Sequence, residues 1–152
     1  MLRAVELGLT YFDTAAGYGN GEGEVIFSEA LSQIENRVFL ATKLPSSTQD
    51  AGRSVANNLG RLRVDNLDLI QIHGSSYSDE MTSSILSEGG LLAELGALRD
   101  EGLVRFIGFT AEDNNAGVYK FIRSGRFDSV QMTYNLLHQH PAEQTRPFGS
   151  MF

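Results

Sequence analysis

The chain has 152 residues, which is enough for one domain with a sizeable hydrophobic core. Its formal net charge of -7 and its pI of about 4.9 argue against nucleic acid or an anionic membrane surface as the main partner. The absence of cysteine excludes disulfides and thiolate metal sites, and no apolar run approaches the ~20 residues of a membrane span, so we expect a cytoplasmic protein.

Strand and helix signals alternate along the whole sequence. Apolar runs such as Val38-Phe39-Leu40-Ala41 are typical of buried parallel strands, whereas apolar residues spaced about 3.6 apart indicate helices. Residues 1–8 are predicted to be the end of a helix. The elements that follow are a strand at 9–12, a helix at 22–34, a strand at 37–42, a helix at 48–62, a strand at 67–72, a helix at 89–101, a strand at 104–109, a helix at 113–123 and a strand at 128–133. This alternation predicts a parallel sheet with right-handed crossovers.

Three segments carry more specific expectations. The helix at 22–34 is expected to place Val25 and Ile26 on its apolar side. The polar residues 74–88 are predicted to form a long loop over the carboxyl ends of the strands. Residues 147–152 are predicted to lead into a further helix or to form its start.

Four side chains suited to proton transfer lie at or near the ends of the first three strands. Asp13, Lys43 and His73 come directly after or at the end of successive strands, 30 residues apart, and Tyr18 lies in a glycine-rich loop after the first. A (β/α) barrel builds its active site at this edge of the sheet. A nearby ammonium lowers the pKa of a phenol, so Lys43 held by Asp13 would make Tyr18 a better general acid. A histidine in this position can orient a carbonyl oxygen.

The segments that contain these residues resemble the aldo-keto reductases. The resemblance rests on Phe12-Asp13-Thr14-Ala15-Ala16-Gly17-Tyr18-Gly19, on Lys43 and His73 near their strand ends, on Gly102-Leu103-Val104-Arg105-Phe106-Ile107-Gly108 and on Tyr134-Asn135-Leu136-Leu137. It implies an α/β fold, an incomplete (β/α)8 TIM barrel with parallel strands and outer helices. Because a complete barrel takes about 250 residues, residues 1–152 are expected to be one partial barrel domain, strands two to six, truncated at both ends.

A self-sufficient five-stranded open α/β domain is the alternative interpretation of the same elements. The strands at 9–12 and 128–133 would then be open edges with unpaired backbone groups and exposed apolar surface. Such edges promote aggregation, which favours the partial barrel.

The resemblance implies an NAD(P)H-dependent oxidoreductase that reduces small-molecule aldehydes or ketones to alcohols, with NADPH as the expected cofactor. Tyr18 corresponds to the family's proton donor, and Asp13, Lys43 and His73 complete the catalytic set. The cofactor carries the reducing power of such an enzyme.

Two residues correspond to the family's contacts with the nicotinamide carboxamide. Thr110 supplies the hydroxyl that follows one strand, and Gln131 supplies the amide on the next. Ala111 replaces the asparagine that commonly follows the hydroxyl, so that amide contact is missing unless Glu112 or Asn114 compensates.

Two other interpretations of the same scaffold remain open. The protein is a non-catalytic nicotinamide-binding or regulatory subunit, or it is an inactive truncated chain. In the family, the adenosine-phosphate site and the aromatic side chain that stacks on the nicotinamide belong to the last two barrel units. The complete set around Tyr18 favours an enzyme, because a pure binder does not need this tyrosine paired with Lys43.

Other kinds of site have weaker support in the sequence. The glycines between Gly17 and Gly23 lack the spacing of phosphate-binding loops. His138-Gln139-His140 has no evident third ligand, so no metal site is predicted. A serine hydrolase is disfavoured by the absence of a Gly-x-Ser-x-Gly elbow.

Overall fold

Five parallel strands form a curled sheet whose spatial order follows the chain, as in a section of a (β/α)8 barrel. The structure is a computed structural model that describes residues 1–35, 37–112, 116–137 and 139. The strands are β1 (Tyr11–Asp13), β2 (Phe39–Pro45), β3 (Leu67–His73), β4 (Val104–Ala111) and β5 (Ser129–Met132). Each strand pairs in parallel with the next, so all their carboxyl ends lie at one edge.

Helices connect the strands. They are α1 (Leu2–Glu6), α2 (Glu22–Leu31), α3 (Ala51–Leu62), α4 (Asp79–Leu86), α5 (Leu91–Asp100) and α6 (Ala116–Ser124), and a 3-10 turn spans Tyr18–Gly21. Side chains set the start of two of them, since Asp50 caps α3 and Ser78 caps α4 by accepting a backbone N–H three residues on. None of the helices in the described segments is long and apolar enough to cross a membrane.

The hydrophobic core lies between the outer face of the sheet and these helices. Alternate strand residues such as Leu44, Ile70 and Ile107 belong to one buried cluster with Val55 of α3 and Leu95 of α5. Burying each of these side chains contributes about 1.5–3 kcal/mol. The intervening strand residues, such as Lys43 and Gln71, face the other side of the sheet.

Helix α2 does not bury the side that its sequence predicts. Val25 and Ile26 are 37% and 63% exposed, whereas Glu24 and Ser28 are buried. The prediction of an apolar stripe through Val25 and Ile26 is therefore wrong. The buried side of α2 carries Glu24 because this residue forms an ion pair with Arg61, which offsets the cost of burying the carboxylate.

The polar segment at 74–88 is not one long loop, because it contains α4. This helix buries Thr82 and Ile85 and packs against α5 and α6. Its serine-rich composition and its length of eight residues hide the helical period in the sequence. The other predicted elements that fall on described residues are confirmed, with bounds that move by a few residues. Residues 147–152 lie outside the part that the structure describes.

Candidate active site

Three neighbouring strands deliver three of the predicted catalytic side chains. Asp13 is the last residue of β1 and His73 is the last residue of β3. Lys43 lies within β2, which runs on to Pro45, and not at its end. Tyr18 opens the 3-10 turn that follows β1. The fold thus brings all four residues to the same edge of the sheet.

The amino group of Lys43 is held by two oxygen atoms of the β1 end. Lys43 Nζ forms an ion pair with the Asp13 carboxylate and donates a second hydrogen bond, of 2.9 Å, to the carbonyl oxygen of Thr14. The Lys43 side chain is only 2% exposed. An unpaired ammonium would be costly at this depth, so Asp13 keeps a positive charge in a nearly dry position.

Tyr18 lies close to both this charge and the histidine. Lys43 Nζ is 5.3 Å from the centroid of the Tyr18 ring. The rings of Tyr18 and His73 meet edge to face, with their centroids 5.9 Å apart. A phenol, an ammonium and an imidazole therefore surround one small volume at the carboxyl edge of the sheet.

The turn that carries Tyr18 depends on glycine. Gly19 and Gly21 have φ angles of +59° and +95°, which L side chains rarely adopt. A Cβ at Gly21 would also lie 2.8 Å from the Cδ of Arg61. These glycines let the chain reverse tightly between Tyr18 and the start of α2.

The surroundings of His73 lower its pKa and so favour the neutral imidazole near pH 7. Burial lowers its pKa, the positive charge of Lys43 lowers it further, and the carboxylates of Asp13 and Glu112 oppose the shift. A neutral imidazole carries one N–H donor. His73 can therefore donate a hydrogen bond to a carbonyl oxygen without adding a second positive charge beside Lys43.

The side chains of five predicted site residues line one pocket of about 150 Å³, and Asp13 forms an ion pair with one of them, Lys43. The lining consists of Tyr18, Lys43, His73, Thr110, Ala111, Glu112, Gln131, Met132 and Thr133. Ligand pockets span roughly 300–1,000 Å³, so this pocket has room for the reacting end of a ligand and not for a whole dinucleotide.

The two predicted cofactor contacts differ in what they offer a ligand. The Thr110 hydroxyl donates to Gly74 O at 2.7 Å and accepts from Gly74 N at 3.0 Å, which leaves one acceptor position. Gln131 Nε2 lies 3.5 Å from an oxygen of Asp13, and its side chain is exposed. The two side chains together suit a primary amide, because Gln131 can donate and accept and Thr110 can accept.

A buried network that the sequence did not reveal joins α2 to β2 and α3. Glu24 is 0% exposed and accepts hydrogen bonds of 2.6 Å from both Thr42 Oγ1 and Arg61 Nε. Arg61 also donates to Asn58, whose amide donates to the carbonyl oxygen of Lys43. The helix that follows the tyrosine turn is thereby tied to the strand that carries the lysine. In the sequence, an acidic residue at this position indicates only a favourable helix start.

Three polar atoms are buried without a hydrogen-bond partner among the described residues. They are Asp13 Oδ1, Gln71 Oε1 and Ser129 Oγ. Gln71 pairs in register with Lys43 on one side and with Gly108 on the other. Such atoms are rare in folded proteins, and all three belong to strands of the sheet.

No group of three His, Asp or Glu residues in the described ranges is arranged to hold a metal ion. His138 and His140, which form the His-x-His pair, lie outside those ranges.

The fold is of the (β/α)8 barrel class, because the parallel strands follow the chain order, helices cover the outer face and polar side chains lie at the carboxyl edge. The model of the aldo/keto reductase family matches residues 1–150, and the chain belongs to this family.

Similar proteins agree with this assignment. The chain is 37% identical over 107 residues to the methylglyoxal reductase YeaE of Escherichia coli (strain K12), covering 67% of this chain and 37% of that protein. It is 26% identical over 169 residues to the NADH-specific methylglyoxal reductase of the same organism, covering 97% of this chain and 50% of that protein. The solved structure of the glycerol dehydrogenase AKR11B4 from Gluconobacter oxydans superimposes with a TM-score of 0.76 and 26% identity, covering 95% of this chain and 47% of that one. The chain spans about half the length of the curated relatives it matches.

Proposed function

We propose that the protein is an NAD(P)H-dependent oxidoreductase that reduces aldehydes or ketones to alcohols, with Tyr18 as the proton donor. The observation that carries this proposal is the buried ion pair of Lys43 with Asp13, placed against the rings of Tyr18 and His73. Burying a lysine charge is expensive, and a purely structural role would be served as well by an apolar side chain. A charge beside a phenol has a use in general acid catalysis.

In the reduction that we propose, Tyr18 and His73 act on the oxygen of the substrate carbonyl, and Lys43 acts on Tyr18. Tyr18 transfers its phenolic proton to that oxygen, and Lys43 stabilises the negative charge that then remains on the phenol. His73 donates its N–H to the same oxygen and fixes its position. When bound, a reduced nicotinamide would supply the hydride for the carbonyl carbon, and the proton from Tyr18 would complete the alcohol.

The residues present fit the nicotinamide end of the cofactor. Gln131 and the remaining acceptor position of Thr110 would hold its carboxamide, beside the pocket that Tyr18 and His73 line. NADPH is the cofactor that we propose. One relative is named as NADH-specific, so preference between the two cofactors is part of the test.

Small aldehydes are the substrate class that we propose. Two relatives are named as methylglyoxal reductases, and a structural relative is named as a glycerol dehydrogenase, which acts on a small alcohol.

The described strands would be five consecutive strands of an eight-stranded barrel, with residues 1–152 as one partial barrel domain. This agrees with the share of the relatives that the chain spans. The remaining barrel units would then provide the contacts to the adenosine phosphate.

The proposed function is tested with the full-length protein. Oxidation of NADPH and of NADH is followed with methylglyoxal and a panel of small aldehydes, and binding of each cofactor is measured separately by fluorescence titration. We expect turnover with at least one cofactor. Binding without turnover of any carbonyl would favour a regulatory nicotinamide-binding protein, and neither binding nor turnover would contradict both functions.

A further inference from the structure

The hydroxyl of Thr110 is committed to the backbone of the turn that follows His73. Thr110 is buried in β4, and its Oγ1 donates to Gly74 O at 2.7 Å while accepting from Gly74 N at 3.0 Å. One side chain thus satisfies both backbone groups of the residue next to His73. A hydroxyl has a single proton, so Thr110 has none left to donate to a ligand.

Tyr77 holds the same turn from its other side. The buried Tyr77 hydroxyl donates to Thr110 O at 2.8 Å, and Ile72 O lies 3.2 Å from it. Burial raises the pKa of Tyr77, so its hydroxyl stays protonated as a donor. A Cβ at Gly74 would lie 2.7 Å from the Tyr77 ring, so only glycine allows the tyrosine to pack this closely.

Further hydrogen bonds fix the backbone around His73. Its own carbonyl oxygen accepts from Ser46 N at 3.2 Å, and Ser75 O accepts from Glu112 N at 2.9 Å. A residue that ends a strand is usually followed by a more mobile segment. Here the residues on both sides of His73 are bonded to neighbouring strands, so its backbone has little freedom.

We propose that Thr110 is a positioning residue for His73, and that its hydroxyl fixes the orientation of the imidazole in addition to contacting the carboxamide of the cofactor. This inference rests on the proposed function, in which the His73 N–H must point at the substrate oxygen. It assigns a role to Thr110 beyond the carboxamide contact that the family resemblance implies.

The test compares Thr110→Val, which keeps the shape of the side chain and removes the hydroxyl, with Thr110→Ser, which keeps the hydroxyl. The pKa of His73 is measured by NMR titration of the imidazole without cofactor or substrate, and its signals are assigned with His73→Gln. Among the described residues, the charged groups that shift the pKa of His73 are Lys43, Asp13 and Glu112, and none of them is changed.

Because burial is the largest cause of the lowered pKa, loosening the turn in Thr110→Val should raise it toward the ordinary value of about 6.5. Thr110→Ser should keep the wild-type pKa and the NMR contact between the Tyr18 and His73 rings. In the active protein, Thr110→Val should lower kcat by a larger factor than it raises the dissociation constant of the cofactor, because one carboxamide contact is lost as well. An unchanged pKa of His73 together with weaker cofactor binding in Thr110→Val would overturn the proposal.

Tyr77→Phe gives a second test if Thr110→Val does not fold. It removes the hydroxyl that anchors the turn and keeps the buried ring, and it should shift the pKa of His73 in the same direction. No shift would contradict the proposal. If the wild-type protein shows no turnover and Thr110→Val still shifts the pKa of His73, the proposed function is refuted and the positioning role of Thr110 stands.

Discussion

Replacing Arg61 with methionine should destabilise the protein strongly, because it leaves the Glu24 carboxylate buried with one hydrogen bond from Thr42. Removing one partner of a buried ion pair costs about 3–5 kcal/mol. Glu24 is 0% exposed but Arg61 is 30% exposed, so water reaches part of the pair and the lower end, about 3 kcal/mol, applies. For a complete barrel of about 250 residues, each kcal/mol changes Tm by about 2–4 °C, which predicts a decrease of roughly 6–12 °C in the full-length protein.

Thermal unfolding followed by circular dichroism measures this decrease. Arg53→Met is the matched control on the same helix, because Arg53 is 81% exposed and should contribute within about 0.5 kcal/mol. The double variant Glu24→Gln with Arg61→Met should recover part of the loss, because a neutral amide needs no cation. A change in Tm for Arg61→Met no larger than that of Arg53→Met would refute the argument, and so would a double variant less stable than Arg61→Met.

Lys43→Met should raise the pKa of His73, because it removes a positive charge that lowers it, and NMR titration of the imidazole checks this. Lowering the pH through about 6.5 should destabilise the wild type, because His73 binds a proton more readily in the unfolded chain than in the folded one. In urea unfolding, the free energy of unfolding of His73→Gln should depend less on pH than that of the wild type. Gly108→Ala should cost about 1–3 kcal/mol, because the added Cβ would lie 2.3 Å from a serine oxygen on the next strand. Gly60→Ala, on an exposed helix surface with nothing within 4 Å of the new Cβ, should stabilise by about 0.5–1 kcal/mol in the same unfolding assay.

The sequence predicted the strands and the grouping of the site residues because both depend on local pattern. Each βα unit returns the chain to the same edge of a parallel sheet, so polar residues near successive strand ends must lie close together. Asp13, Lys43 and His73 follow this rule, and the structure places them side by side. Their catalytic roles stay a prediction.

The parts that the sequence did not predict depend on partners that are distant in the chain. The buried side of α2 is set by Arg61, which is 37 residues from Glu24, and not by the apolar residues of α2 itself. The commitment of the Thr110 hydroxyl depends on Gly74, 36 residues away, and the composition of neither segment indicates the contact. Periodicity describes one element at a time, so it cannot show a polar side chain that is buried because another element pairs with it.

The most direct test of the central claim compares Tyr18→Phe with Tyr11→Phe in the full-length protein. Both variants remove only a phenolic hydroxyl, but Tyr11 is stacked on Phe39 and does not line the pocket. With carbonyl turnover and cofactor binding measured on the same samples, Tyr18→Phe should lose nearly all turnover and keep its affinity for the cofactor, and Tyr11→Phe should keep both. Turnover in Tyr18→Phe close to that of the wild type would contradict the role of Tyr18 as the proton donor.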